Sequence, residues 1–173
     1  GGEQQRLSIA AALAKEPKIL LLDEPFVHLD VHLRKKLGKY IRDLCEIRGM
    51  MILLVTHEGE EALSWSDEIY CMFNGKLTRK YSPQNAYSKP KSLKEGRFFG
   101  ELNSVRIGKK QVLFRPTEFA FEGEGSNELS ISFQYDEFRG FYTASYFKLE
   151  NGREIVLYAD ASLNKISKIY VGI

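Results

Sequence analysis

At 173 residues, with 43% hydrophobic and 28% charged side chains, the chain is long enough for one medium domain or two small ones with a real core. Twenty-five basic residues against 23 acidic ones leave a net charge of +2, which gives no electrostatic case for a nucleic-acid or membrane-surface partner. Cys45 and Cys71 are isolated and lack metal-ligand spacing, so they read as small buried apolar side chains of a cytoplasmic, reducing compartment. No stretch approaches the roughly 18 apolar residues of a membrane helix, and no segment has the form of a signal peptide.

Residues 1 to about 100 alternate helical and strand patterns. Gly1-Gly2 open a predicted helix whose apolar face is Leu7, Ala10, Ala11 and Ala14, and Pro17 stops it. Ile19 to Leu22 is a short, fully apolar run, the pattern of a parallel strand covered on both faces. Leu33, Leu37, Tyr40, Ile41, Leu44 and Arg48 recur at helical spacing, with Gly49 suited to the left-handed turn that ends such a helix. A second strand, "MILLVT", runs from Met51 to Thr56 and leads into His57; the helical stretch "GEEALSWS" and the segment "EIYCMF" follow. Asn74-Gly75 then marks a two-residue hairpin. Strand, helix, strand, helix predicts an α/β fold with a parallel sheet built from crossover units.

After Phe98-Phe99-Gly100 the character changes. "VLFR", "ELSISFQY", "FYTASYFKLE", "REIVLYAD" and "KISKIYVGI" alternate, are rich in β-branched and aromatic residues, and are separated by turns such as Asn151-Gly152. They predict a small all-β domain, a Greek-key barrel of about five strands. A polar connector bracketed by Pro83 and Pro90 separates the two parts, and the domains are expected over residues 1–98 and 99–173. Tyr135, Phe138, Phe141, Tyr142, Tyr146 and Phe147 are expected to serve as core or cross-strand pairs of the barrel; a ligand-lining role is the other possibility.

In open α/β sheets, ligands sit beyond the carboxyl ends of the strands, so Asp23, Glu24 and His57, each placed after an apolar strand, are expected at one sheet edge. Adjacent residues of a strand point to opposite sides, so one of the two acids can face a metal and the other a water. Phosphate chemistry uses such a set: a carboxylate for hydrated magnesium, a second for the attacking water, and a third group for the γ-phosphate.

The motifs go further. "GGEQQR" at Gly1, "ILLLDEP" at Ile19, the Leu29-Asp30 pair and "VTHE" at Val55 resemble the signature, Walker B, D-loop and H-loop of an ABC transporter ATPase subunit, in that family's order. "EEALSWSDEIYCMFNGKL" is similar to the family stretch after the switch histidine, and "SPQNAYSKP" with "FFGELN" resembles the link into the C-terminal TOBE domain of importer ATPases. "VLFRPTEFAF" looks like the opening motif of that domain's barrel. The resemblance implies a partial P-loop NTPase sheet followed by an OB-like TOBE barrel.

It also implies roles. Asp23 would contact Mg2+ through water, Glu24 would be the catalytic base, and His57 would bond the γ-phosphate of ATP. Asp30 would lie in the D-loop across a dimer seam. Gly1, Gly2 and Glu3 would bring backbone N–H groups at a helix start to ATP held by a second ATPase subunit, since glycine permits close approach and the helix dipole favours an anion. The implied partners are that second subunit, transmembrane permease subunits and, indirectly, an extracytoplasmic substrate-binding protein. The implied location is the cytoplasmic face of the inner membrane, and the short C-terminal part leans toward a polyamine, iron or another inorganic ion as cargo.

The chain departs from the pattern in several places. No Gly-rich loop with Lys-Ser/Thr is present, so neither Walker A nor Q-loop is seen, and the natural polypeptide is expected to extend further at its N-terminus. The 173 residues alone are expected to be inactive, with strand edges and apolar faces that another copy would cover. His28 and Ala11 stand where the family more often has a small residue and an arginine. Two other classes compete with the importer. A chromosome- or repair-type ABC ATPase would need a long coiled coil or zinc-binding cysteines, and a non-catalytic ligand-binding or regulatory module would keep the ATPase half as a remnant.

Overall fold

The computed structural model describes residues 2–27, 29–123 and 127–172. The chain forms two compact units that divide between Trp65 and Ser66.

The first unit contains α1 (Gly2–Leu13), β1 (Ile19–Asp23), α2 (Val31–Ile47), β2 (Met51–Val55) and α3 (Gly59–Trp65). β1 and β2 pair in parallel from Ile19 opposite Met51 to Asp23 opposite Val55, with α2 as the crossover that a parallel pair requires. The predicted end of α2 is present, with Gly49 at φ +61°.

Two expectations change here. The buried residues of α1 are Ile9 and Leu13, whereas Leu7, Ala10, Ala11 and Ala14 are exposed. Ile9 and Leu13, four residues apart, reach the core with Leu20, Leu22, Phe26, Leu29, Ile41 and Cys45, and the smaller alanines bury less area there. β1 is covered on one face only. Leu20 and Leu22 are buried, while Leu21 is 69% and Leu53 57% exposed on an apolar outer face that also carries Ile19, Met51 and Val55.

Gly38 in the middle of α2 marks a close approach. A Cβ there would come 1.9 Å from the Trp65 ring. Helix propensity alone would favour alanine by about 1 kcal/mol. The indole, however, packs on Phe26 at 4.8 Å between ring centroids and lies under the Arg42 guanidinium at 5.1 Å, so it has little room to move. Gly38→Ala is therefore expected to destabilise this unit by roughly 1–3 kcal/mol. Urea unfolding followed by fluorescence of the sole tryptophan checks this; a raised midpoint would mean that the ring moves away freely.

The second unit begins with β3 (Met72–Phe73) and β4 (Lys76–Leu77), the hairpin predicted at Asn74-Gly75, where φ is +51° and +74°. The predicted polar connector holds two short helices, α4 (Pro83–Ser88) and α5 (Leu93–Phe98). Ser82 and Ser92 cap them, their Oγ atoms accepting from Asn85 N at 3.3 Å and Glu95 N at 3.2 Å. β5 (Asn103–Ile107) and β6 (Lys110–Phe114) form a hairpin, and β7 (Asn127–Phe138), β8 (Thr143–Leu149), β9 (Glu154–Ala159) and β10 (Lys168–Val171) form an antiparallel sheet in the order β10-β7-β8-β9.

Among the described residues no backbone ladder closes these strands into one barrel; a four-stranded sheet and a hairpin share a core that includes Val105, Phe114, Phe147, Leu157 and Ile169. The Asn103 side chain stands in for a ladder. Its Nδ2 donates to Val156 O at 2.7 Å, and its Oδ1 accepts from Val156 N at 2.9 Å. Of the expected aromatic pairs, Tyr135 stacks on Tyr146 across β7 and β8 at 4.5 Å, and Phe147 is buried. Phe138 and Phe141 point outward instead, Phe141 being 88% exposed.

The sequence break at residues 98/99 lies inside this second unit, and Arg115 binds across it. Its side chain is 1% exposed. Nε and Nη2 donate to Tyr87 O at 3.0 and 2.6 Å, and Nη1 reaches the carbonyls of Gly96, Gly100 and Glu101 at 2.9 to 3.0 Å. One guanidinium thus ties α4 and α5 to the end of β6.

Candidate functional site

The site is built at the carboxyl ends of β1 and β2. Because the two strands are parallel and in register, the residues that follow Leu22 and Leu54 emerge side by side. Glu24 N donates to Val55 O at 2.9 Å and extends the pairing by one bond beyond the strand. The chain then turns sharply. Glu24 has φ +44°, in the left-handed region that residues with a side chain seldom adopt, and Pro25 follows it into the protein.

From that position the Glu24 carboxylate meets His57: Oε1 lies 2.8 Å from Nδ1. His57 is in turn presented by a local turn after β2, where Glu58 N donates to Thr56 Oγ1 at 3.0 Å ahead of α3. With Nδ1–H committed to Glu24, Nε2 is the ring nitrogen left for another group, and the nearest carboxylate to it is Glu58 at 3.7 Å.

The carboxylates raise the pKa of His57 above the ordinary imidazole value. The hydrogen bond that His57 donates to Glu24 is the main cause and the Glu24 charge the next; desolvation opposes them, and Glu58 and Glu61 add smaller contributions. A raised folded-state pKa gives stabilisation that is fully present below the ordinary histidine pKa and is lost as pH rises through the raised value. His57 is more than half exposed, so salt screens the effect. Glu24→Gln is expected to return the NMR titration midpoint of His57 toward that of a free imidazole; an unchanged midpoint would show that the contact is not kept in solution.

Glu24 and His57 thus meet at one sheet edge, while the other predicted residues stand apart from that contact. Asp23 closes β1 and is exposed. Magnesium keeps several of its waters and binds proteins through one or two carboxylates, so a lone exposed Asp23 suits a hydrated ion. No group of three or more His, Cys, Asp or Glu forms a closed cage among the described residues. Asp30 is the N-cap of α2: its Oδ1 accepts from His32 N and Leu33 N at 3.0 Å, and the bond from Leu33 is the main cause of its lowered pKa. Gly2 and Glu3 form the first turn of α1. Backbone N–H groups there suit an anion, whereas the Glu3 carboxylate itself favours the helix dipole. Gly1 and His28 lie outside the described residues.

Sequence reasoning missed the backbone of Glu24, since no glycine announces a left-handed turn there, and it left Gln5 without a role. Gln5 Nε2 donates to Glu24 O at 2.9 Å. No helix of the described residues is long and apolar enough to cross a membrane.

Comparison with known proteins places this edge in context. The sequence model of the family described as ABC transporter matches residues 1–27, a span that contains Gly1, Gly2, Glu3, Asp23 and Glu24. The chain is 43% identical over 116 residues to the spermidine/putrescine import ATP-binding protein PotA of Bacillus thuringiensis (strain Al Hakam), which covers 67% of this chain and 36% of that protein. It is 46% identical over 104 residues to the sulfate/thiosulfate import ATP-binding protein CysA of Neisseria meningitidis serogroup A / serotype 4A (strain DSM 15465 / Z2491), 60% of this chain and 29% of that one. Among solved structures it is similar to a putative metal-chelate type ABC transporter in an inward-facing conformation, with TM-score 0.48 and 19% identity over 65% of this chain and 44% of that one. The chain therefore spans about a third of the length of the curated relatives it matches, and it is homologous to ABC import ATP-binding proteins.

Proposed function

We propose that the edge formed by Asp23, Glu24 and His57 is the hydrolytic half of an ATP site in an ABC import ATPase, which drives uptake of a solute through membrane permease subunits. The observation that carries this reading is the 2.8 Å contact between the Glu24 carboxylate and His57 Nδ1 at the carboxyl ends of paired parallel strands. Homology to import ATP-binding proteins supports it.

Each residue has a defined task. Glu24 orients the attacking water and accepts its proton; the bond to His57 at 2.8 Å holds the carboxylate in one rotamer. In its doubly protonated form, which the neighbouring carboxylates favour, His57 donates from Nε2–H to a phosphate oxygen while Nδ1–H stays on Glu24. Asp23 holds the hydrated magnesium ion, which when bound neutralises charge on the β- and γ-phosphates of ATP. The first turn of α1, at Gly2 and Glu3, offers backbone N–H groups to the nucleotide of a second ATPase subunit, and Asp30 lies at the seam while capping α2. On this reading the phosphate cradle is not built by these 173 residues, which carry no Gly-rich loop with Lys-Ser/Thr.

The C-terminal β unit takes the place of a TOBE domain with a regulatory or dimerising role. The assembly works at the cytoplasmic face of the membrane, with an extracytoplasmic binding protein delivering cargo to the permease. That cargo is a polyamine or an inorganic ion, the classes named in its relatives.

Phosphate release from ATP by the polypeptide as its gene encodes it tests the reading. Hydrolysis should require Mg2+ and stop with a chelator, and Asp23→Asn should raise the Mg2+ concentration needed for half-maximal rate. Absence of hydrolysis, or a rate indifferent to Mg2+, would overturn it.

A further inference from the structure

We propose that Gln5 is a positioning residue for Glu24: by donating to the Glu24 carbonyl it holds the left-handed turn that keeps the Glu24 carboxylate on His57. This rests on the hydrolytic reading of Glu24.

Glu24 is held at three points, on β2, on the turn that follows it and on α1. Its N–H bonds Val55 O of β2 at 2.9 Å, its carboxylate meets His57 Nδ1 at 2.8 Å, and its carbonyl accepts from Gln5 Nε2 of α1 at 2.9 Å. The third bond has a particular job. At φ +44° the peptide has left the strand ladder, and among the described residues no backbone N–H reaches the Glu24 carbonyl. A left-handed conformation at a residue with a side chain persists only where its surroundings over-determine it. Without the Gln5 amide, the ordinary extended conformation regains its advantage, and the carboxylate would be redirected away from His57.

The Gln5 amide has only one workable orientation. Its Oε1 is buried without a partner, and flipping the amide would set that oxygen against the Glu24 carbonyl, two acceptors face to face. Gln5 also stands on a rigid base. It lies four and eight residues before Ile9 and Leu13, on the same helical face, and those two side chains are buried in the core beside Leu20 and Leu22 of β1. Any displacement of α1 along its axis is therefore passed through one hydrogen bond to the backbone of the proposed base.

The test compares the gene-encoded parent, Gln5→Met, Gln5→Asn and Glu24→Gln in steady-state ATP hydrolysis and thermal unfolding. Gln5→Met keeps the length but has no donor, and is expected to lower kcat by about tenfold or more with KM for ATP within about twofold, because misplacement of a reacting group is felt in the chemical step. Its unfolding midpoint should stay close to the parent's. Gln5→Asn keeps the donor on a shorter arm and should fall between Met and the parent; it also serves if the Met variant folds poorly. A lowered midpoint with parental kcat in both variants would assign Gln5 a structural role only and overturn the proposal. A parental rate that ignores Glu24→Gln would instead overturn the hydrolytic reading itself.

Discussion

Glu24→Gln is expected to lower kcat for ATP by roughly 10²–10⁴-fold, the range for loss of a positioned general base. The substitution is nearly isosteric. A glutamine Oε1 can still accept from His57 Nδ1–H, so the 2.8 Å contact, the turn at φ +44° and the packing of Pro25 all survive, while the ability to take a proton from water does not. KM for ATP should change little, since in the proposed role Glu24 acts on the attacking water and not on the bound nucleotide. The variant should fold with the parent's stability and form an ATP-bound dimer that persists because hydrolysis no longer ends it. Phosphate release and sedimentation with and without ATP measure both effects. A rate within about threefold of the parent would leave Glu24 with a structural role only.

Arg115→Ala is expected to destabilise the second unit by about 3–5 kcal/mol. The fully buried guanidinium donates to the carbonyls of Tyr87, Gly96, Gly100 and Glu101 and lies 4.0 Å from the Tyr87 ring. Truncation leaves these acceptors without their donor and opens a cavity between α4, α5 and β6. Arg115→Lys should recover only part of the loss, because an ammonium group has three donors, no planar fork and stronger hydration. Burial itself pulls the pKa of Arg115 down, but a guanidinium remains charged throughout the working pH range. Denaturant unfolding followed by tyrosine signals of the β unit gives the number. A loss under about 1 kcal/mol would mean that water replaces the guanidinium at these carbonyls.

Much of the fold follows from local pattern. The apolar runs at Ile19 and Met51, separated by the helical repeat from Leu33 to Leu44, dictate a parallel pair with a helical crossover, and this pair alone delivers Glu24 and His57 to one edge. The hairpin at Asn74-Gly75 was equally legible, since both residues tolerate positive φ. Where local pattern competes with tertiary packing, it says less. In α1 the run of alanines suggested one face, but Ile9 and Leu13 have the greater apolar area and turn the helix the other way. The helices α4 and α5 are short and polar, with weak periodicity; their signals were Ser82-Pro83 and the Ser92 to Glu95 spacing of a capped helix start. β5 was announced only by Val105 and Ile107 alternating before the Gly108 turn.

The candidate site divides in the same manner. Residue types after strands located Asp23, Glu24 and His57, because strand direction determines where their side chains emerge. The left-handed backbone of Glu24 and its bond to Gln5, nineteen positions away in the chain, depend on the intervening segment folding into place, and no short pattern encodes them. Asp30 shows the opposite case: Asp before a helical repeat is a capping signal in its own right, and capping is the role its carboxylate fills.

That Glu24 and His57 act as one unit in ATP hydrolysis is tested most directly by a double-mutant cycle on kcat with Glu24→Gln, His57→Ala and the pair, in the gene-encoded polypeptide with Mg2+. Residues that work as a unit are strongly non-additive, so the double variant should be about as slow as the slower single variant. Losses that multiply, or a parent that hydrolyses no ATP, would contradict the function proposed for this pair.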